Sequence, residues 1–78
     1  MMERIMSDDE LFTKRCWDLK FWQEGQYFFT CRLFDLISGA DRMNRYRIAL
    51  GFPIEVRVWE TWQASESPED FYKKYCSD

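Results

Sequence analysis

Histidine is absent from all 78 residues. That absence removes the ordinary general base near neutral pH, and with it every Ser–His or Cys–His nucleophile system. It also removes the commonest metal-ligating side chain. Cysteine is scarce: Cys16, Cys31 and Cys76 are too far apart for a CxxC site. Thiolates alone hold structural zinc only in sets of about four. The odd count speaks against a disulfide framework, and MMERIMSDDELF lacks the apolar stretch of a signal peptide, so a reduced, cytoplasmic setting is expected. The glycines Gly25, Gly39 and Gly51 each stand alone, so there is no Gly-rich phosphate loop. No apolar run approaches the about 18 residues that a membrane span needs. There are no repeats and no low-complexity segments. These absences lead to the expectation of a non-catalytic protein with no metal or cofactor and no membrane partner.

Aromatic residues, by contrast, are plentiful, at 19% of the chain. A chain this short is one domain with a thin stability margin, since it buries only roughly 60% of its unfolded surface. Large buried side chains compensate for that, each hiding about 150–250 Å². The supply here exceeds what one small core needs, so some aromatics are expected on the surface, where they mark interfaces. Eleven Lys and Arg stand against fourteen Asp and Glu, for a net charge of −3. That balance argues against general nucleic-acid binding. It is uneven: Arg32, Arg42, Arg45, Arg47 and Arg57 outnumber the acids in the middle of the chain, while residues 58–78 are acidic. Such asymmetry is either a solvated surface or a means of orienting a charged partner.

Along the chain, residues 1–6 read as a flexible lead and the rest as one helical domain. Ser7 and Glu10 fit a capping box, and Asp8, Asp9 and Glu10 load the positive end of a first helix that runs to Trp22 or Gln23. Its core face is Leu11, Phe12, Cys16, Leu19 and Trp22. Trp17 and Phe21 lie opposite, either covered by a second layer or forming an exposed patch. A second helix is expected over Gln26–Ser38, with Phe29, Leu33, Leu36 and Ile37 at core-face spacing and Gly39 as terminator. Asp41 can cap a third helix over Arg42–Leu50, in which Met43, Tyr46 and Leu50 share a face and Gly51 ends the run. GFPIEVRVWETW is ambiguous. As a strand it puts Glu60 on the apolar face beside Trp62, and it finds no partner strand. As a helix, with Pro53 at the first position, it gathers Ile54, Val58, Trp59 and Trp62 on one side with Glu55 intruding, and this reading is preferred. Ser67 and Pro68 start a last helix carrying Phe71 and Tyr75. The expected fold class is all-α, a compact domain of about five short helices.

Residues 28–62, FFTCRLFDLISGADRMNRYRIALGFPIEVRVWETW, carry an LF-x-LI helix, then AD-x-x-N, then FP-x-x-V-x-x-W. The elements are Leu33-Phe34, Leu36-Ile37, Ala40-Asp41, Asn44, Leu50, Phe52-Pro53, Val56 and Trp59. The pattern, which covers about half the chain, resembles small uncharacterised proteins of tailed bacteriophages, and in size and composition the chain is similar to early host-takeover proteins of large lytic Bacillus phages. The resemblance implies a helical protein in the host cytoplasm that binds a host protein of the replication, transcription, division or defence machinery and inhibits it. It transfers no functional residue, because the shared positions look like core and turn chemistry.

The candidate partner-binding residues read from the sequence are Trp17, Phe21, Trp22 and Trp62 as aromatic anchors, with Arg42 and Arg45 as charged flanks. For each tryptophan the competing reading is core packing, and Trp59 is assigned to the core. Other functions remain open at this stage. A CRISPR-blocking or nucleic-acid-mimic protein should show a continuous acidic face. A direct nucleic-acid binder would use Arg32, Arg42, Arg45 and Arg47. A homodimeric scaffold piece would bury the surplus aromatics in a second copy.

Overall fold

The computed structural model describes residues 6–76. Five helices follow one another: α1 Asp8–Gln23, α2 Phe29–Gly39, α3 Arg42–Gly51, α4 Pro53–Ala64 and α5 Pro68–Tyr75. No strand occurs among the described residues, so the all-α reading holds and residues 53–58 are helical. The expected flexible lead, apart from Met6, lies outside the described residues.

Three helices start on a side chain that accepts an otherwise unpaired backbone N–H. Ser7 accepts from the Glu10 N–H at 3.1 Å while the Glu10 carboxylate accepts from the Ser7 N–H, also at 3.1 Å. Asp41 accepts from Asn44 at 2.8 Å, and Ser67 from Asp70 at 3.1 Å. Helix α4 starts on Pro53, which needs no donor there. Pro53 also ends α3, because a residue before proline is held out of the helical region, and Phe52 sits at φ −134°, ψ 61°. Gly39 and Gly51, expected as terminators, are instead the last helical residues, with Ala40 and Phe52 leaving the helix at ordinary φ.

Only Gly25 has a positive φ among the described residues, at 91°. It sits just past α1, where its N–H donates to the Trp22 carbonyl and the Gln26 N–H donates back to Phe21. This closes α1 in a Schellman turn. The turn consumes Gln26, and Phe28 is extended, so α2 begins at Phe29 rather than at the expected Gln26. No neighbouring atom lies within 4 Å of a Cβ added at Gly25, so the cost of a side chain there is backbone strain alone. Gly25→Ala is expected to cost about 1–2 kcal/mol. A urea midpoint equal to the parent's would show that the chain does not need this left-handed turn.

Helices α1 and α4 form the central pair: α2 lies against both, α3 packs on α4, and α5 packs on α1. Their shared core holds Phe12, Cys16 and Leu19 of α1, Leu33, Phe34 and Ile37 of α2, and Ile54, Val58 and Trp59 of α4. Phe71 of α5 and Cys76 close one side. The intruding Glu55 has an answer in α1. Arg15 Nε donates to its carboxylate at 3.1 Å, and Arg15 Nη1 donates to Asp18 at 2.7 Å. Both carboxylates are nearly buried, so this three-residue network ties the central helices together.

Helix α2 is turned about a quarter of a turn from its expected orientation. Leu33 and Ile37 are buried as expected, but Phe29 and Leu36 are 68% and 60% exposed. Thr30, Cys31 and Phe34 take the inner face with Leu33 and Ile37. That five-residue stripe packs on α1 and α4 and outweighs the four-residue stripe that includes Phe29 and Leu36.

Candidate functional site

The aromatic anchors expected from the sequence are spent largely on internal packing. Trp22 is half-buried. Its indole Nε1 donates to Asp35 at 2.8 Å, and its ring meets Phe34 and Trp62 at 5.9 Å each. Trp62 is half-buried against the core, edge-on to Trp22. Trp17 and Phe21, also half-buried, stack at 6.3 Å, and Phe21 meets Phe28 edge-on at 6.2 Å. The ammonium of Lys20 covers Trp17 at 5.3 Å. Trp59 is buried, as assigned.

The two flanking arginines separate. Arg45 is turned against α4, where its guanidinium lies over Trp59 at 4.8 Å and reaches Glu60 at 3.5 Å. It also donates to the Ala40 carbonyl. Arg45 therefore clamps α3 to α4. Arg42 is exposed and has no carboxylate within 4 Å among the described residues.

A different set of residues forms the free surface. Tyr27, Phe28, Phe29, Leu36, Met43, Tyr46, Leu50 and Phe52 are the exposed large hydrophobics, with Met6 the only further one among the described residues. All eight fall in one stretch of chain that builds α2, α3 and the joint into α4. The face of α3 made by Met43, Tyr46 and Leu50 turns outward, because Ile48, Ala49 and Arg45 take the side against α4. Helices α2 and α3 are consecutive yet scarcely touch, since each packs on α4 instead. The space between them is an open trough in two segments that share Leu36. One, of about 650 Å³, is lined by Asp35, Leu36, Gly39, Ala40, Asn44, Arg47 and Ile48. The other, of about 410 Å³, is lined by Phe29, Arg32, Leu33, Leu36 and Phe52. Phe29 and Phe52 meet at 6.1 Å and close that end.

Charge around the trough is mostly positive. Arg32 lies over Tyr27 at 4.9 Å, and neither Arg32 nor Arg47 has a carboxylate within 4 Å among the described residues. Asp35, the one carboxylate in the lining, accepts the Trp22 N–H and leaves the two arginines in excess. Composition signalled surplus surface aromatics but not their positions. The usable local signal was that α2 carries apolar residues all round, so that one of its two stripes had to remain outside.

The three thiols are free and buried. Burial pushes Cys16 from 9.0 up to about 12, with the neighbouring Cys76 adding to the shift. Burial also raises Cys31 and Cys76. Tyr72 is raised to about 12, by burial first and then by Cys76 and Glu24. In the unfolded chain these thiols ionise near 9.0, before those of the folded protein, so the unfolded state loses protons first. The contribution of Cys16 is then full below pH 9.0 and falls as pH rises from there towards 12, by up to about 1.4 kcal/mol per pH unit, and the raised Cys31 and Cys76 act in the same direction. Urea midpoints should drop between pH 9.0 and 11, and Ellman's reagent should find the thiols only after unfolding. A flat midpoint across that range would contradict the burial.

Among the described residues no group of three or more Cys, Asp and Glu is placed to hold a metal ion, and no helix is long and apolar enough to cross a membrane. No known protein-family model matches the chain, and neither a curated protein nor a solved structure matches it.

Proposed function

We propose that the chain is a non-catalytic phage protein that binds a host bacterial protein in the host cytoplasm and blocks it, and that the stretch from Tyr27 to Phe52 makes the contact. The observation that carries this reading is the concentration of eight exposed large hydrophobics in the segment from Tyr27 to Phe52, on the approach to α2, on α2 and α3, and at the joint to α4. A monomer seldom leaves such a surface uncovered, and an apolar patch rimmed by arginines has the make-up of a binding hot spot. The phage setting rests on the resemblance of residues 28–62 alone.

The mimic reading is less favoured by the placement of the acids. Asp8, Asp9 and Glu10 sit in the first turn of α1, and Glu69 and Asp70 in that of α5, where they complement helix ends. The trough itself is lined by two arginines, Arg32 and Arg47, and a single acid, Asp35.

The test is expression in a bacterial host together with affinity capture and mass spectrometry. The parent should slow growth and recover one specific protein. Phe29→Asp with Leu36→Asp, a double variant of two exposed residues, should lose both effects while keeping parental helicity. A parent that neither slows growth nor captures a partner rejects the proposal. So does a double variant that behaves as the parent does.

A further inference from the structure

The trough between α2 and α3 has a shape and a charge that select its occupant. Its sides are two helices that both rest on α4 without closing on each other, an arrangement that accepts a third helix. Its length follows α2 from Phe29 to Gly39, about three turns or roughly 15 Å, enough for anchors at i, i+3 or i+4, and i+7. Leu36 and Ile48 give it an apolar lining, and Gly39 and Ala40 keep the end away from Phe29 low enough for a backbone to approach. Phe29 and Phe52 form a wall at one end. Arg32 and Arg47 line the two segments with no ion-pair partner within 4 Å among the described residues, against one carboxylate in the lining, Asp35, so the lining carries an excess of positive charge.

We propose that this trough receives an amphipathic helix whose apolar stripe is bordered by carboxylates. The proposal rests on the reading of residues 27–52 as the contact surface and adds the chemistry of what is contacted. Complementary charge favours that partner over two others. A two-fold pair of this chain through the trough would bring like arginines together. Helices α1, α2 and α4 of a second copy already spend their inner faces on their own core. Nucleic acid asks for a track of cations along a polar groove, whereas here two arginines flank an apolar lining in a chain of net charge −3.

The test uses isotope-labelled full-length protein and a designed helical peptide of about four turns, with Leu at i, i+3, i+4 and i+7 and Glu on both flanks. A second peptide carries Lys in place of every Glu. Amide shifts should change along α2 and α3. The Lys peptide should bind at least about tenfold more weakly, and added salt should weaken the Glu peptide. Arg32→Glu with Arg47→Glu should reverse the preference. Equal binding of the two peptides, or shifts confined to α1 and α5, overturns the proposal. So does concentration-dependent dimerisation of the protein alone that shifts the α2 and α3 amides, which would give the trough to a second copy. So does a low-salt nucleic-acid gel shift abolished by the two charge reversals. If the peptides fail while the Phe29 and Leu36 variants still lose the captured host protein, the contact surface stands and the acidic helix falls. If those variants keep the host protein, both readings fall.

Discussion

Arg15→Ala is expected to lower the stability of the protein by about 2–4 kcal/mol and its urea midpoint with it. The side chain holds two carboxylates, Glu55 at 3.1 Å and Asp18 at 2.7 Å, whose side chains are only 11% and 13% exposed. Removing the cation leaves both nearly buried with no opposite charge, a situation that costs about 3–5 kcal/mol when an ion pair is fully buried. Arg15 itself keeps some solvent access, so about 2–4 kcal/mol is the proper range. Small domains have roughly 0.05–0.15 kcal/mol of stability per residue, or about 4–12 kcal/mol for a chain of this length. The loss is therefore a large part of the total. The penalty comes from abandoned charge rather than from a missing attraction, which can be tested. Arg15→Met with Asp18→Leu and Glu55→Leu removes every member of the network and should recover most of the loss. Urea unfolding of the three proteins decides the matter. An alanine variant within about 0.5 kcal/mol of the parent would mean that α1 and α4 are not joined through this residue.

The second large effect is a contrast within one helix. Phe34 and Leu36 stand two residues apart on α2, yet Phe34 is fully buried and Leu36 is 60% exposed. Phe34 packs beside Trp22 at 5.9 Å and belongs to the shared core of α1, α2 and α4. Phe34→Ala should cost about 3–5 kcal/mol through lost burial and the cavity left behind. Leu36→Ala should stay within about 0.5 kcal/mol of the parent. The reverse order of stabilities would mean that α2 sits in the orientation expected from its sequence, with Leu36 inside, and that the trough does not exist as described. The experiment therefore tests the surface reading without any partner in hand.

Much of the fold was readable because helix ends are governed by local chemistry. Ser7 with Glu10, Asp41, Pro53, and Ser67 with Pro68 each start a helix where the residue types require it. The strand-like alternation of Ile54, Val56 and Val58 was also resolved correctly as helix, since polar Glu60 and the missing partner strand outweighed β-branching. Helix orientation was harder to read. Its decision lies in contacts far along the chain: Glu55 looked like an intruder on its apolar face until Arg15, forty residues earlier, supplied its partner. Spacing alone could not rank the two apolar stripes of α2, because the better one counts Cys31 and Thr30 beside Phe34. The same limit applied to the aromatic anchors. A tryptophan in a small all-α chain reads equally as core or contact, and Trp22 and Trp62 settle against each other across α1 and α4. The free surface instead fell to phenylalanine, leucine, methionine and tyrosine in the middle of the chain.

Helix α3 has no buried residue of its own, and Arg45 is its only ion-paired or ring-stacked tie to α4 among the described residues. A helix without a fully buried residue is expected to open at a free energy below that of global unfolding. Its opening removes one side of the trough while α1, α4 and α5 stay packed. Occupancy of the trough and order in α3 are then linked by mass action. Whatever settles between α2 and α3 must slow the exchange of α3 amide protons towards the global limit, so the protein records its own binding in the protection of that helix.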